Sequence, residues 1–124
     1  SALDQEKAFL IDWRDISGFE QWEQANTLIL LETQERKYTA HISDIRNSTP
    51  ISELQLEHLI QAIVPQHYRA GLRKTVIISP EDFNYEMLAQ TMLNRIMHEG
   101  IAHAQVKSLA EAREWVRKTH PRPD

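Results

Sequence analysis

Thr75-Val-Ile-Ile-Ser-Pro-Glu-Asp82 is the stretch from which the fold is read. Its first half places three β-branched apolar residues in a row after Thr75, a run suited to a central strand covered on both faces. Ser79 follows, with Asp82 three places later, which is the signature of a helix start. The serine oxygen accepts from a free backbone N–H, and the third residue can reach back to the cap. Pro80 suits the first helical position, where a missing N–H does no harm. A strand therefore runs directly into a helix.

The same junction occurs at Ser17-Gly-Phe-Glu20, Ser52-Glu-Leu-Gln55 and Ser108-Leu-Ala-Glu111. Successive serines are 35, 27 and 29 positions apart, near the roughly 30 residues of one strand-plus-helix unit. The pattern predicts an α/β fold: one domain over residues 1–124, core about 8–118, with about four β-α units on a mainly parallel sheet. Strands are expected over 8–13, 37–45, 75–78 and 101–106. Helices are expected over 18–36, from Ser52 to an end or kink at Pro65 with a stop at Gly71, over 83–98, and over 109–118.

Within these elements the spacing assigns faces. Phe19, Trp22, Ile29 and Leu30 form the inward stripe of the first helix. In the second strand Tyr38, Ala40 and Ile42 point inward, and Thr39, His41 and Ser43 occupy a less buried side. The consecutive Leu28-Ile-Leu-Leu31 places apolar groups around more than one side of its helix. Leu28 or Leu31 is thus expected at the surface, where an apolar patch would support a homodimer.

Composition narrows the function classes. The net charge of −4 provides no general attraction to phosphate backbones, so no nucleic-acid partner is expected. The basic segment Arg69 to Lys74 reads as a solvated turn. No apolar run reaches the ~18 residues of a membrane span, so no membrane insertion is expected. Zero cysteines excludes disulfides and thiolate chemistry and agrees with a cytoplasmic location. The chain opens at Ser1 without methionine, as a trimmed terminus or cleaved tag would.

Candidate chemistry is sparse. His98 and His103 stand five apart with Gly100 between them, whereas a helical zinc motif needs four, so no metal is expected. Neither a glycine-rich phosphate loop nor a nucleophile elbow is present, and no catalytic residue or cofactor is assigned. Asp44 and Arg46 lie at the carboxyl end of a strand, where open α/β sheets place ligands. With the helix starts at Ser52 and Ser79 they form the candidate regulatory or ligand-binding set, able to hold a small anion. For Asp44 the simpler role is to cap its own turn; for Ser52 it is to cap its helix.

Taken together, Asp44-Ile-Arg46, Pro50-Ile-Ser-Glu-Leu-Gln55, the segment from Ala70 through Thr75-Val-Ile-Ile78 to Phe83, and Val106-Lys-Ser-Leu-Ala-Glu-Ala-Arg-Glu-Trp-Val116 resemble the SpoIIAA-like superfamily. The likeness is to its small bacterial STAS/SEC14-like proteins and covers about Phe9 to Lys118. The resemblance implies a non-enzymatic binding or regulatory module with a protein partner. It also implies a phosphoacceptor serine near Ser52, eight positions after Asp44. The flanking Ile51 and Glu53-Leu54 depart from the acidic and small neighbours usual there. The alternatives are a domain binding a lipid, nucleotide or anion, and a small enzyme with its site at the carboxyl edge of the sheet.

Overall fold

A computed structural model describes residues 2–3, 7–16, 18–48, 52–79 and 100–119. The expected helix over 83–98, the cap at Ser17 and the residues after Ser79 in its motif lie outside them. Strands β1 (Ala2–Leu3), β2 (Ala8–Asp12), β3 (Ala40–Asp44), β4 (Lys74–Ile78) and β5 (Ala102–Val106) form one sheet in that spatial order. β2 to β5 are parallel throughout, so the chain is an α/β protein with a four-stranded parallel sheet. The short β1, not foreseen from the sequence, adds antiparallel to β2.

Register explains why both faces of the sheet are covered. Leu10, Ile42, Val76 and Ala104 stand side by side on one face, and Asp12, Asp44, Ile78 and Val106 continue it. Helix α4 (Leu109–Lys118) lies against this face, burying Ala112 and Val116 on Ala40, Ile42, Val76 and Ile78. Ile42 and Ile78 are fully buried, each worth about 1.5–3 kcal/mol over exposure. Lys74 secures the end of α4: its Nζ donates to the Val116 carbonyl at 2.7 Å and the Thr119 carbonyl at 3.2 Å. A cation at a helix C-terminus complements the unsatisfied carbonyls there.

The opposite face carries Ile11, His41, Ser43, Thr75 and Ile77, and the helices between β2 and β4 border the same cavity as these residues. Helix α1 (Gly18–Arg36) buries Trp22, Asn26, Ile29 and Thr33, a stripe at helical spacing. Phe19, expected inside, is partly exposed. β3 begins at Ala40, later than expected, after Lys37 with its positive φ of 57°. Thr39 and Ser43 are half-buried, as the less buried side should be, but His41 on that same side is buried.

Past β3, helix α2 (Glu53–His58) starts with the full capping box. Gln55 N–H donates to Ser52 Oγ at 3.1 Å and Ser52 N–H to Gln55 Oε1 at 2.8 Å. The chain does not stop at Pro65. It widens into a π-helical segment over Leu59–Ile63 and resumes as α3 (Val64–Arg69). Proline lacks the N–H that an α-helix would use there and crowds the carbonyl four residues back; the wider turn accommodates both. Gly71, at φ 111°, ends the run where the sequence places a stop.

Candidate functional site

The four residues selected from sequence fall at the carboxyl edge of the sheet in three separate settings. Asp44 is buried and closes a fork with Arg46: Nη2 to Oδ2 at 2.7 Å, Nε to Oδ1 at 3.0 Å, and the Arg46 backbone N–H to Oδ1 at 3.1 Å. Those hydrogen bonds hold the Asp44 carboxyl below the usual aspartate range. Ser52 is exposed, and its hydroxyl and backbone N–H are both engaged in the capping box. Ser79 is buried; its Oγ accepts from Gln105 Nε2 at 2.8 Å and Lys107 Nζ at 3.3 Å.

An echo of Asp44-Ile-Arg46 stands beside it. Asp12 is the register partner of Asp44, and Arg14 Nε reaches Asp12 Oδ2 at 2.8 Å. Two Asp-x-Arg turns therefore close adjacent strand ends. Each arginine is already matched by its own carboxylate, which leaves little uncompensated charge for an anion.

The basic segment before β4 is likewise structural in large part. Arg73 donates to the Tyr68 and Leu72 carbonyls and lies 3.9 Å from the Tyr68 ring centre, and Lys74 is the clamp on α4. Among the described residues no three His, Asp or Glu side chains are grouped to hold a metal ion.

Among the described residues a concavity lies between the helices and the sheet face that bears His41. It is a cavity of about 180 Å³ reached by Trp13 and Trp22, with Ile11, Ile29, Ile63, Val64, Leu72, Ile77 and Ile101 forming its apolar walls. Ser48 and Gln55 border it near the start of α2. Its other polar contributors are Asn26, His41, Ser43, His67 and Thr75, and none of its described lining residues is Asp, Glu, Lys or Arg. A second cavity of about 190 Å³ lies alongside and shares Asn26, Ile63 and His67 with it; Glu23, Thr27, His58 and Gln66 make it more polar.

Two buried histidines set the chemistry of the first cavity. Thr33 Oγ1 donates to the Ile29 carbonyl at 2.7 Å and lies 2.8 Å from His41 Nε2. With the hydroxyl hydrogen committed to Ile29, His41 donates from Nε2, leaving Nδ1 as an acceptor. His67 Nδ1 lies 2.8 Å from the Ile63 carbonyl, which can only accept, so Nδ1 carries the proton and Nε2 is the acceptor. The two rings meet edge-to-face at 5.1 Å. Burial, aided by neighbouring His67, lowers the His41 pKa to about 3, and burial also lowers that of His67. Both rings are neutral near pH 7.

In sequence the two histidines show no ligand spacing, and His67 reads as a residue that packs or hydrogen-bonds at its helix end, which its bond to Ile63 agrees with. Their meeting is not legible there because they belong to different elements. A local signal did exist: Asn26 and Thr33 interrupt the stripe of Trp22 and Ile29, and polar residues at core positions mark a polar network or cavity. The π segment bordering the same space is another such mark, since π turns concentrate at functional sites.

The fold and its cavity define a parallel α/β domain with an internal site of uncharged described lining. Compared with known proteins, the chain matches no family model, no curated protein and no solved structure.

Proposed function

We propose that this chain is a non-enzymatic binding module of the SpoIIAA/STAS-like kind, and that it takes a small apolar ligand between its sheet and its α1–α3 helices. The observation that carries this reading is the cavity bordered by Trp13, Trp22, His41 and His67, apolar in its walls and with a few convergent polar groups. The Asp44–Arg46 and Asp12–Arg14 turns support ligand binding in that cavity over anion binding at the strand ends, because their charges are internally matched. The absence of a helix long and apolar enough to cross a membrane, among the described residues, fits the same reading, as does a cytoplasmic setting for a chain without cysteine.

Titration with the uncharged two-ring fluorophore 1-naphthylamine tests it. Saturable binding at one equivalent, with energy transfer from tryptophan, is expected; Ser43→Phe, which fills the cavity from the sheet, should abolish it while cooperative unfolding persists. Absence of saturable binding to the folded protein would contradict the reading.

A second reading concerns a protein partner, first of all another copy of this chain. Leu28 is 64% and Leu31 54% exposed on α1, and apolar surface of that kind supports a contact in trans. The two readings use different sides of α1, since Trp22, Asn26 and Ile29 face the cavity.

A further inference from the structure

The proposed ligand site can be given a chemical specificity, an inference that rests on the ligand-binding reading above. Three observations combine. Among the described residues the inner cavity has no formal charge on its lining, so a charged ligand would lose its hydration without a counter-ion. Its volume of about 180 Å³ exceeds the roughly 150 Å³ of an engineered apolar cavity that holds benzene. Asn26 and His67 stand at the boundary shared with the more polar second cavity.

At that boundary the hydrogen-bonding capacity has a direction. Asn26 Nδ2 donates to the Trp22 carbonyl at 3.0 Å, which leaves its carbonyl oxygen to accept. His67 Nδ1 donates to Ile63, which leaves Nε2 to accept. No described residue donates to that nitrogen. Both side chains have committed a donor to the helix backbone and offer acceptors to what lies between the cavities. An apolar ligand without a donor would leave both unsatisfied on binding; one with a hydroxyl or N–H would satisfy them.

We propose that the cavity selects an uncharged one- or two-ring apolar molecule that donates a hydrogen bond to His67 Nε2, with the Asn26 carbonyl oxygen as the neighbouring acceptor. The hydroxyl or N–H sits at the boundary between the two cavities, and the ring body lies against Trp22, Ile29 and Ile63. Burial keeps His67 unprotonated near neutral pH, so its acceptor is present there.

Three probes of equal ring size separate the outcomes: 2-naphthol, 2-methylnaphthalene and 2-naphthoate, measured by calorimetry on the full chain at pH 7.5. The inference predicts that 2-naphthol binds, that 2-naphthoate does not, and that His67→Phe weakens 2-naphthol by about 3- to 10-fold, the scale of one hydrogen bond, with 2-methylnaphthalene unchanged. A second readout needs no variant. In a histidine side-chain ¹H–¹⁵N spectrum of the native protein, 2-naphthol should move the His67 Nε2 resonance upfield, as acceptance of a hydrogen bond requires, and 2-methylnaphthalene should not. Binding of both neutral probes with His67 Nε2 unmoved would overturn the donor specificity and leave the apolar-ligand reading standing. Preference for 2-naphthoate would overturn the specificity in the opposite direction. Failure of all three probes to bind would overturn both.

Discussion

Thr33 Oγ1 and His41 Nε2 lie 2.8 Å apart and join the end of α1 to the middle of the parallel sheet. Both residues are buried, so neither could recover its hydrogen bond from water if the other were removed. Thr33→Val keeps the shape and deletes the acceptor. It should cost about 1–3 kcal/mol, the penalty of a buried donor left unpaired, whereas Thr33→Ser should cost under about 1 kcal/mol. Urea denaturation of the two variants measures the difference; equal stabilities would show that the pair contributes nothing.

The same histidine predicts how stability depends on pH. His41 titrates at about 3 in the folded chain, below its ordinary 6.5, so the unfolded state binds the proton more readily. The stabilisation is complete above about pH 6.5 and declines as pH falls toward 3. Its slope approaches about 1.4 kcal/mol per pH unit for one proton. His67, also lowered by burial, adds in the same direction. Asp44 contributes in a separate range, because its lowered pKa gives stability that is lost only below the ordinary 3.8. Denaturation between pH 7 and 4.5 should show the slope, and His41→Phe should flatten it. A flat profile in the parent protein would contradict burial of a neutral His41.

Ser52 provides a test of its role at the head of α2. Its reciprocal bonds with Gln55 predict that Ser52→Ala costs about 1 kcal/mol. Ser52→Asp should be nearly neutral, because aspartate also caps and its charge suits a helix start. Chemical denaturation decides this. If alanine proved silent for stability and aspartate abolished binding to a recovered protein partner, a regulatory phosphoserine would be the better account.

Exposure of Leu28 and Leu31 bears on self-association. Sedimentation over a range of concentrations should detect a dimer of the 14.5 kDa chain, weakened in Leu28→Glu and Leu31→Glu while both variants remain folded. A single 14.5 kDa species up to high micromolar concentration would show that this surface does not self-associate.

What could be read from the sequence was what depends on near neighbours. The caps at Ser52 and Ser108 follow from a serine and a residue three places later, and the structure has both serines accepting the expected N–H. The β-branched run at Val76 identified a strand flanked on both sides because composition alone signals that environment. The Leu28-to-Leu31 run signalled leftover apolar surface by helical geometry. Alternation in β3 marks the side of Thr39, His41 and Ser43 as the less buried one, which holds for Thr39 and Ser43; only the helices folded across the strand reveal that His41 is itself buried. The Asp12-Trp-Arg14 echo of Asp44-Ile-Arg46 was visible in the letters, but its meaning depends on the register of β2 with β3. Pro65 correctly marked an irregularity; whether the chain would stop there or widen depends on the packing of Leu56, Val64 and Leu72 around it. The site itself was hidden for a common physical reason: His41 and His67 meet only through tertiary structure.

The central claim is that a small apolar ligand enters the space beside Trp13 and Trp22. The chain has three tryptophans, and the third, Trp115, packs on the core at the opposite face of the sheet. Replacing them with 5-fluorotryptophan provides three ¹⁹F signals, assigned by single Trp→Phe variants, to follow as 1-naphthylamine is added. The account predicts that the Trp13 and Trp22 signals shift together and saturate at one equivalent while Trp115 holds its position. Movement of Trp115 alone, or no movement of any signal at saturating fluorophore, would contradict it.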